Sequence, residues 1–523
     1  LLNIDLNYAS KQPAELRVNM KEIRFILSLV LLSVCTIVSA SVEDTITAIN
    51  EHNSIFSDVL ALQKNNPALM NNAYDKQYSE IRLYTDYEKL NRPILYELGD
   101  GHNYTGIDIN SYIKLNNSTA VWGSASYRSG SKKDIKWNST ADFSTLYPYV
   151  MGDTLGGNLN NERYTFSGGC ATKIGRLTIG ELIYFRAEHE YRTKDPRPRS
   201  IVTDLSMRFG VSYDFGMYIL GTGLGAKFYK QTNSVEFLKE DGVIPEYQML
   251  GLGMYHKRFS GNNASSYYKG TGISYDINIS PTKKNGMYLS AEYNYIPYKR
   301  ILPDMNSLPL TTLYLYNYGC ELGWKTVKRF GWSCFGGINY EKRDGDEHIA
   351  GNSSSGEYLI IADMTMFHSH KTDSYIGGAL NFNGRSQWNL TGRIGYIDCA
   401  SNYIFPISKM SFSKLYERIE GQLIRNIKND ITLNCRLSAS YFHNLKKDIT
   451  MPYTAMDNAN TNLMQYTYSN ITDNYLIISA NVRADYTPAN WKSYGMFIEL
   501  GGGRFEGNNN NGNKIYLSTG ITF

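Results

Sequence analysis

The residues of this sequence that could do chemistry lie in the run RAEHEYRTKDPRPRS, from Arg186 to Ser200. Charges recur there at every second position: Arg186, Glu188, Glu190 and Arg192. Side chains two residues apart on a β-strand point to the same side of the sheet, so these four would form one charged face. Such a face suits an ion-pair network, a charged constriction that selects solutes, or acid–base catalysis.

The segment that carries these charges is predicted to be a two-faced strand. Its other face is apolar and consists of Leu177, Ile179, Ile183, Phe185 and Ala187. We therefore expect Arg186 and its charged neighbours to look into a polar interior, and His189 to point outward. An external loop should start at Asp195 and Arg197, because Asp195 precedes a proline and proline disfavours the continuation of the strand.

Three interpretations of the charged face remain open. We favour a network that braces an external loop inside the barrel, with a polar constriction as the alternative. Catalysis is disfavoured because His189 points away from the charges. The sequence also contains no Gly-x-Ser-x-Gly elbow, His-Glu-x-x-His motif or phosphate-binding loop. We predict no catalytic residues, no metal site and no cofactor.

Alternation with period 2 continues along the rest of the chain. The segment after Asp430 places Ile431, Leu433, Cys435 and Leu437 on one face and Thr432, Asn434, Arg436 and Ser438 on the other. The 523 residues include 43 Tyr and 45 Gly but only 14 Pro, which indicates many strands with amphipathic rims. The net charge of +4 is too small to indicate a nucleic-acid partner.

We predict an all-β fold: an antiparallel transmembrane β-barrel of about 18 strands, within a range of 16 to 20. A soluble sandwich alternates in the same way, but the final segment KIYLSTGITF, ending on Phe523, resembles the closing-strand signal read by outer-membrane assembly machinery. Short turns should lie at one end and long loops at the other. The predicted long loops are 131–162, 191–202, 231–266, 343–372, 399–410 and 443–473. Alternating stretches near 247–258 and 357–369 are interpreted as excursions within those loops.

The chain is predicted to divide into four parts. Residues 1–19 are untranslated or removed, and 20–40 form a signal peptide with Lys21 and Arg24 before an apolar core and cleavage after Ala40. Residues 41–72 form a helical segment, either a periplasmic helix or a plug in the barrel mouth. Residues 73–523 form the barrel. The N-terminal helix should be the only sizeable helical piece.

Two further expectations concern the barrel surface. Cys320 and Cys334 should be free thiols, because the turn at 328–331 leaves them offset along a hairpin. Aromatic girdles should form at the two rims of the apolar band. One girdle would contain Tyr293, Tyr295, Tyr340 and Tyr396, and the other Trp324, Trp332 and Trp388.

Four motifs carry a resemblance to a family of uncharacterised outer-membrane barrels from Bacteroidetes. They are WGSASYRSG from Trp122, LYPYVMGDTLGG from Leu146, YTFSGG from Tyr164 and HEYRTKDPRPRS from His189. Members are often encoded near TonB-dependent receptors. The run NNPALM, from Asn65 to Met70, resembles a weaker start-of-barrel pattern found in hydrophobic-solute channels and PorP-like secretion barrels.

The resemblance implies a location in the outer membrane and a set of partners. These are outer-membrane lipid and lipopolysaccharide, the barrel assembly machinery, and a TonB-dependent receptor or surface lipoprotein. We expect a passive solute channel or an accessory to an uptake system. The alternative is a non-conducting scaffold in a secretion or surface-assembly complex.

Overall fold

The structure, a computed structural model, describes residues 42–523 apart from 239–245, 262–264, 284, 355–356, 385, 429, 454–455 and 492–493. The predicted segments 1–19 and 20–40 lie outside the described residues. Eighteen strands form one antiparallel sheet that closes on itself. The predicted fold class, strand number and N-terminal helix are therefore confirmed.

Strands are numbered β1 to β21 in chain order. The barrel contains β1 (Tyr78–Leu90), β2 (Gly101–Lys114), β3 (Thr119–Ile135), β5 (Gly157–Ile174), β6 (Leu177–Tyr191), β7 (Arg197–Asp214), β8 (Tyr218–Glu236), β11 (Ser265–Pro281), β12 (Gly286–Leu302), β13 (Leu308–Thr326), β14 (Phe330–Ser354), β15 (Glu357–Asn383), β16 (Ser386–Tyr403), β17 (Ser408–Lys428), β18 (Ile431–Thr450), β19 (Tyr475–Tyr486), β20 (Gly495–Gly507) and β21 (Asn511–Thr522). A separate sheet contains β4 (Met151–Gly152), β9 (Tyr247–Gly251) and β10 (Met254–Tyr255).

The barrel closes where its first strand meets its last. Ile81 of β1 lies opposite Ile109 of β2 on one side and Ile521 of β21 on the other. The backbones of Ser79 and Phe523 exchange two hydrogen bonds, of 2.9 and 3.0 Å. Closure satisfies the backbone groups that a free sheet edge would expose.

Each barrel strand has an apolar outer face and a mixed inner face. On β16, Leu390 and Ile394 point outward and are 48% and 50% exposed, whereas Asn389 points inward and is 3% exposed. The alternation follows from the strand period of two residues. A one-residue shift in register would exchange the two faces, so the pattern fixes the register.

Connections at the two ends of the barrel differ in length. At the short-turn end, β5 and β6 are joined by residues 175–176 and β7 and β8 by residues 215–217. At the long-loop end, β3 and β5 are joined by residues 136–156, called the lumenal loop below, and β8 and β11 by residues 237–264. The short three-stranded sheet is built from these two connections.

Three of the predicted long loops are wrong. Of 191–202, only the five residues 192–196 connect β6 to β7, and Arg197, predicted to start an external loop with Asp195, is the first residue of β7. Residues 343–372 lie in the hairpin of β14 and β15, which are 25 and 27 residues long, and 399–410 lie in β16 and β17 apart from 404–407. The stretch near 357–369 is therefore part of a barrel strand, whereas 247–258 is a loop excursion as predicted. On the outer face of β14, polar residues begin at Lys342 and Asp344. The paired strands β14 and β15 therefore extend beyond the apolar band.

The described helices are short, and none of them is part of the barrel wall. The N-terminal segment, residues 42–77, contains α1 (Val42–His52) and two 3₁₀ helices, Ile55–Asn65 and Pro67–Asn72. Further helices are α2 (Phe143–Leu146) and α3 (Asn458–Ile471), with 3₁₀ turns at Pro303–Met305 and Ala489–Trp491. None of the helices in the described part of the chain is long and apolar enough to cross a membrane.

The expectation that the N-terminal helix is the only sizeable one is wrong, because α3 has 14 residues. Asp457 caps α3 by accepting a hydrogen bond from the backbone of Asn460 at 2.7 Å. Asp is a favoured N-cap, but polar residues dominate this helix, so its sequence lacks a strong apolar periodicity.

Candidate functional site

The charged face of β6 lies in the lumen and binds the lumenal loop. Arg186, Glu188, Glu190 and Arg192 are 7%, 6%, 2% and 5% exposed. Arg186 Nη1 donates to Asp142 Oδ1 at 2.9 Å and to Glu188 at 2.8 Å. Arg192 donates to Asp153 of the loop at 3.3 Å, and Glu190 pairs with Lys132 of β3 at 2.6 Å. Arg186, Glu188 and Glu190 belong to one network, in which Asn161 donates to both glutamates, and Arg192 forms a separate pair with Asp153.

Asp142 is the central acceptor of this network. Burial alone would raise the pKa of the Asp142 carboxyl, but the hydrogen bonds and charge of Arg186 outweigh burial and hold the pKa below its ordinary value. The hydroxyl of Tyr229 also donates to Asp142, at 2.9 Å. A carboxylate with these donors stays ionised and ties the lumenal loop to β6 and β8.

The lumenal loop fills part of the barrel with an apolar core. Leu146, Tyr149, Val150 and Met151 are at most 2% exposed. Inward-facing wall residues belong to the same cluster as Leu146, Tyr149 and Val150: Val202, Tyr229, Tyr298, Leu313 and Phe367. Packing of this kind excludes water, so the charges of β6 are buried structural contacts and do not line an open pore.

A second connection contributes to this packing. Arg300 of β12 is 1% exposed and donates to the backbone carbonyl of Met249 in β9 at 3.2 Å. Burial raises the pKa of Glu246, which precedes β9, and the nearby charge of Asp153 raises it further. The loops of 136–156 and 237–264 thus meet around buried charged groups at the long-loop end.

The other predicted residues lie outside this network. Asp195 and Arg197 form a partly exposed pair at 2.8 Å beside the connection between β6 and β7. His189 points outward, and Arg199 Nε donates to it at 3.3 Å. Phe523 takes part in barrel closure through its backbone. Among the described residues, no group of three or more His, Cys, Asp or Glu side chains could hold a metal ion.

The N-terminal segment lies across the lumen at the short-turn end. Asn66 is fully buried, and its Nδ2 donates to Asp276 of β11 at 2.8 Å. Glycines of the wall make room for the chain here. A Cβ atom on Gly180 would lie 2.5 Å from the carbonyl carbon of Pro67, and one on Gly210 would lie 2.3 Å from Asn66 Oδ1. The NNPALM run therefore docks on a glycine surface of β6 and β7.

The same segment also contacts the opposite part of the wall. The backbone N–H of Ile55 donates to Gln422 of β17 at 3.0 Å, and Lys325 of β13 donates to the carbonyl of Phe56 at 3.0 Å. Ser54 accepts a hydrogen bond from Gln387 of β16 at 3.0 Å. Contacts from β6 to β17 make the segment a strap across the lumen at the short-turn end.

Three cavities follow one another along the wall formed by β13 to β17, and the upper and lower ones extend to neighbouring strands. The upper chamber, at the long-loop end, has a volume of about 790 Å³ and is lined by Arg343, Lys371, Cys399 and Lys414. The middle cavity, of about 160 Å³, is lined by Glu321, Phe335, Arg393 and Arg418. The lower cavity, of about 610 Å³, is lined by Ser54, Lys325, Asn383 and Gln387.

Aromatic side chains of the same strands lie between the upper chamber and the middle cavity. Tyr416 donates to Asp373 at 2.9 Å, and Tyr375 donates to Glu321 at 2.7 Å. The guanidinium of Arg393 lies 4.0 Å from the centre of the Tyr375 ring. Ile55 lines the middle cavity, and Phe56 lines the lower one. The strap thus separates the two lower cavities.

The sequence did not predict the acidic residues that pair with the charged face of β6. It also did not predict the residues that line the cavities. Asp142 and Asp153 lie in a connection without periodicity, which we expected to be external. Lys371 lies in a stretch assigned to a loop. Asn66 and Pro67 gave a usable signal, because Asn-Pro ends a helix, but the sequence could not reveal the glycine surface that receives them.

Comparisons with known proteins give a family and distant structural similarity. The model of a family described only as a family of unknown function matches residues 67–523. No curated protein matches the sequence. The ferric enterobactin receptor of Pseudomonas aeruginosa is similar with a TM-score of 0.37 at 8% identity, covering 86% of this chain and 80% of that one.

Two further structures are similar to the same degree. The ferric preacinetobactin receptor of Acinetobacter baumannii has a TM-score of 0.36 at 9% identity, with coverage of 86% and 81%. An iron transporter from Neisseria meningitidis has a TM-score of 0.34 at 9% identity, with coverage of 86% and 82%. The barrel architecture of the present chain rests on its own strand pairing.

Proposed function

This protein belongs to DUF6850, a family of unknown function, and we propose from its own geometry that it is an outer-membrane barrel that conducts a small solute and is closed at rest by its N-terminal strap. The observation that carries the proposal is the succession of three cavities along the wall of β13 to β17, with the strap between the lower two. The protein moves solute and catalyses no reaction.

An apolar belt supports the membrane location. Trp332 and Trp388 point outward near the short turns, and Tyr340 and Tyr396 point outward eight residues further along the same two strands. Eight residues at about 3.3 Å, tilted by about 40°, span roughly 20 Å, close to the roughly 25 Å band of outer-membrane barrels. Lipid and the lipid portion of lipopolysaccharide are the proposed partners of this belt.

Aromatic pairs at one rim support the same location. The rings of Tyr293 and Tyr318 lie 5.0 Å apart on the outer face, as do those of Tyr295 and Tyr316. Rings with one polar atom prefer the headgroup level of a membrane. Cys320 and Cys334 are free thiols on this face, and the residue opposite Cys334 is Trp324, four residues from Cys320.

The arrangement of the lumen supports conduction along one side only. The network of Arg186 fills the side of β6 to β8, and the core around Tyr149 packs against wall residues of β7, β8, β12, β13 and β15 at the long-loop end. All three cavities reach the wall of β13 to β17, where charged and amide side chains such as Arg343, Arg393 and Gln387 line them. These charged and amide groups on rigid strands permit passage of a hydrated solute, although apolar side chains also line the upper chamber.

A charge placed on Asn66 tests the proposed function. In Asn66→Asp, the new carboxylate would face Asp276 at hydrogen-bonding distance, and repulsion should release the strap. We expect efflux of a small dye from liposomes at pH 7.5, and resealing at pH 5 when one of the two carboxyls becomes protonated. Asn117→Asp, in an exposed turn at the same end, should not leak. Absence of efflux from the folded Asn66→Asp variant at pH 7.5 would reject conduction.

The filled half of the lumen favours a second candidate, a non-conducting scaffold. The buried pairs of Arg186 with Asp142 and Arg192 with Asp153 stabilise the external connections, as a platform for a surface lipoprotein or a TonB-dependent receptor would require. Co-purification of a partner from membranes, together with impermeability of the Asn66→Asp variant, would favour the scaffold.

A further inference from the structure

We propose that the upper chamber is a binding site for an amphipathic organic anion, meaning a carboxylate or sulfonate with an apolar body. The inference deepens the proposed conduction, since it names the solute class that would enter from the long-loop end. The inference rests on the volume of the chamber, its apolar lining and two ammonium groups that have no carboxylate partner among the residues that the structure describes.

The chamber has the size and lining of a ligand site. Its volume of about 790 Å³ lies within the roughly 300–1,000 Å³ of small-molecule pockets. Apolar and aromatic side chains contribute from several elements: Leu95, Phe143, Ile397, Phe412, Tyr475 and Phe505. These groups come from the wall, the lumenal loop and the connection between β1 and β2, residues 91–100. An apolar body would therefore be surrounded on several sides.

Positive charge predominates in the chamber. The basic residues of the lining are Arg343, Lys371, Lys414, Arg504 and Lys514, and the acidic residues are Glu88, Glu341 and Asp473. Arg343 is neutralised by Glu341 at 2.9 Å, and Lys514 pairs with Asp86 at 3.2 Å.

Two lysines of the lining have no carboxylate partner in the described ranges of the chain. Lys414 Nζ donates to the backbone carbonyl of Asp473 at 2.8 Å and lies 4.5 Å from the centre of the Tyr475 ring. Within the described part of the chain, Lys371 makes no hydrogen bond or ion pair, and its side chain is exposed to the chamber. An ammonium beside aromatic faces can hold an anion whose apolar part stacks on the rings.

Cys399 provides a native reporter inside the chamber. It lies opposite Lys371 in the register of β15 and β16, and opposite Phe412 in that of β16 and β17. The other described cysteines, Cys170, Cys320, Cys334 and Cys435, lie on the outer face by strand alternation. A Cys399→Ser variant defines the background from those outer thiols.

The first experiment measures the charge preference of the chamber on the full-length protein in detergent. Cys399 is labelled with anionic sulfonatoethyl methanethiosulfonate or with its cationic trimethylammonioethyl analogue, and each rate is divided by the rate with free 2-mercaptoethanol. We expect the anionic reagent to be favoured by about threefold or more. Lys371→Gln and Lys414→Gln should each reduce this ratio, whereas Lys227→Gln, at a lysine paired with Asp204, should not.

The second experiment measures binding by protection of Cys399. Naphthalene-2-sulfonate should slow the labelling, whereas 2-naphthalenemethanol and 2-naphthylmethylammonium should not. An equal or greater rate with the cationic reagent, protection by the neutral or cationic compound, or complete unreactivity of Cys399 would each overturn the proposal.

These measurements test anion binding in the upper chamber independently of conduction through the barrel. Labelling and protection require access from one side only, so they do not depend on release of the strap. Anion preference together with an impermeable Asn66→Asp variant would retain the binding site and reject conduction. Efflux from that variant without anion preference would reject the binding site alone.

Discussion

Arg186 on the barrel wall and Asp142 in the lumenal loop form an ion pair inside the barrel, with Arg186 Nη1 2.9 Å from Asp142 Oδ1. The side chains of Arg186 and Asp142 are 9% and 13% exposed. The pair explains why charges alternate along β6: the charged side of the strand holds a loop that passes through the interior of the barrel.

Removal of Arg186 should destabilise the barrel strongly. Arg186→Ala leaves the buried Asp142 and Glu188 without their partner, and loss of one member of a buried pair costs about 3–5 kcal/mol. Arg197→Ala breaks a partly exposed pair and should cost no more than about 1 kcal/mol. Urea unfolding in detergent measures both free energies. Equal effects of the two substitutions would contradict the network.

The free energy of unfolding should fall as pH rises, because Glu97 is buried in its protonated form. Burial raises the pKa of Glu97, in the connection between β1 and β2, to about 7. A carboxyl with a raised folded pKa contributes stability that is fully present below its unfolded pKa of about 4.3 and is lost as pH rises through about 7. Glu97→Gln should remove this part of the pH dependence between pH 5 and pH 8. An unchanged profile of unfolding midpoint against pH would count against a buried, protonated Glu97.

The barrel itself could be predicted from the sequence because one physical rule repeats along the whole chain. Strands that face two different solvents alternate with period 2, and each of the 18 segments carried that signal, as Ile431 to Leu437 illustrate. The same rule placed Arg186 inside and His189 outside. It failed at 343–372 because alternation also continues in a hairpin that extends beyond the apolar band.

The interior could not be predicted because its contacts are long-range and come from aperiodic segments. Asp142 lies 44 residues from Arg186, and Asn66 lies 210 residues from Asp276. No local pattern links such pairs. The cavities depend on which half of the lumen the loops fill, and this follows from packing around residues such as Tyr149 rather than from composition.

The outer face should disfavour charge within the apolar belt. Ile338 of β14 points outward and is 45% exposed, whereas the adjacent Asn339 points into the lumen. Ile338→Lys, between the midplane and the Tyr340 rim, should cost about 1–3 kcal/mol in lipid, and Asn339→Lys much less, because only the first would place an ammonium in hydrocarbon. Heat-modified mobility of the folded barrel after assembly in lipid vesicles compares the two variants. Equal tolerance would argue against a membrane-facing surface at Ile338.

The account depends most directly on whether the strap closes a conduit, and single-channel recording in planar bilayers tests this. Gly210→Val places a side chain where Asn66 and Pro67 now pack, while Gly168→Val, on the outer face with open space around it, serves as the control. We predict sustained conductance for Gly210→Val, and closed records with rare openings for the unchanged protein and for Gly168→Val. A folded Gly210→Val barrel that never conducts would contradict the account.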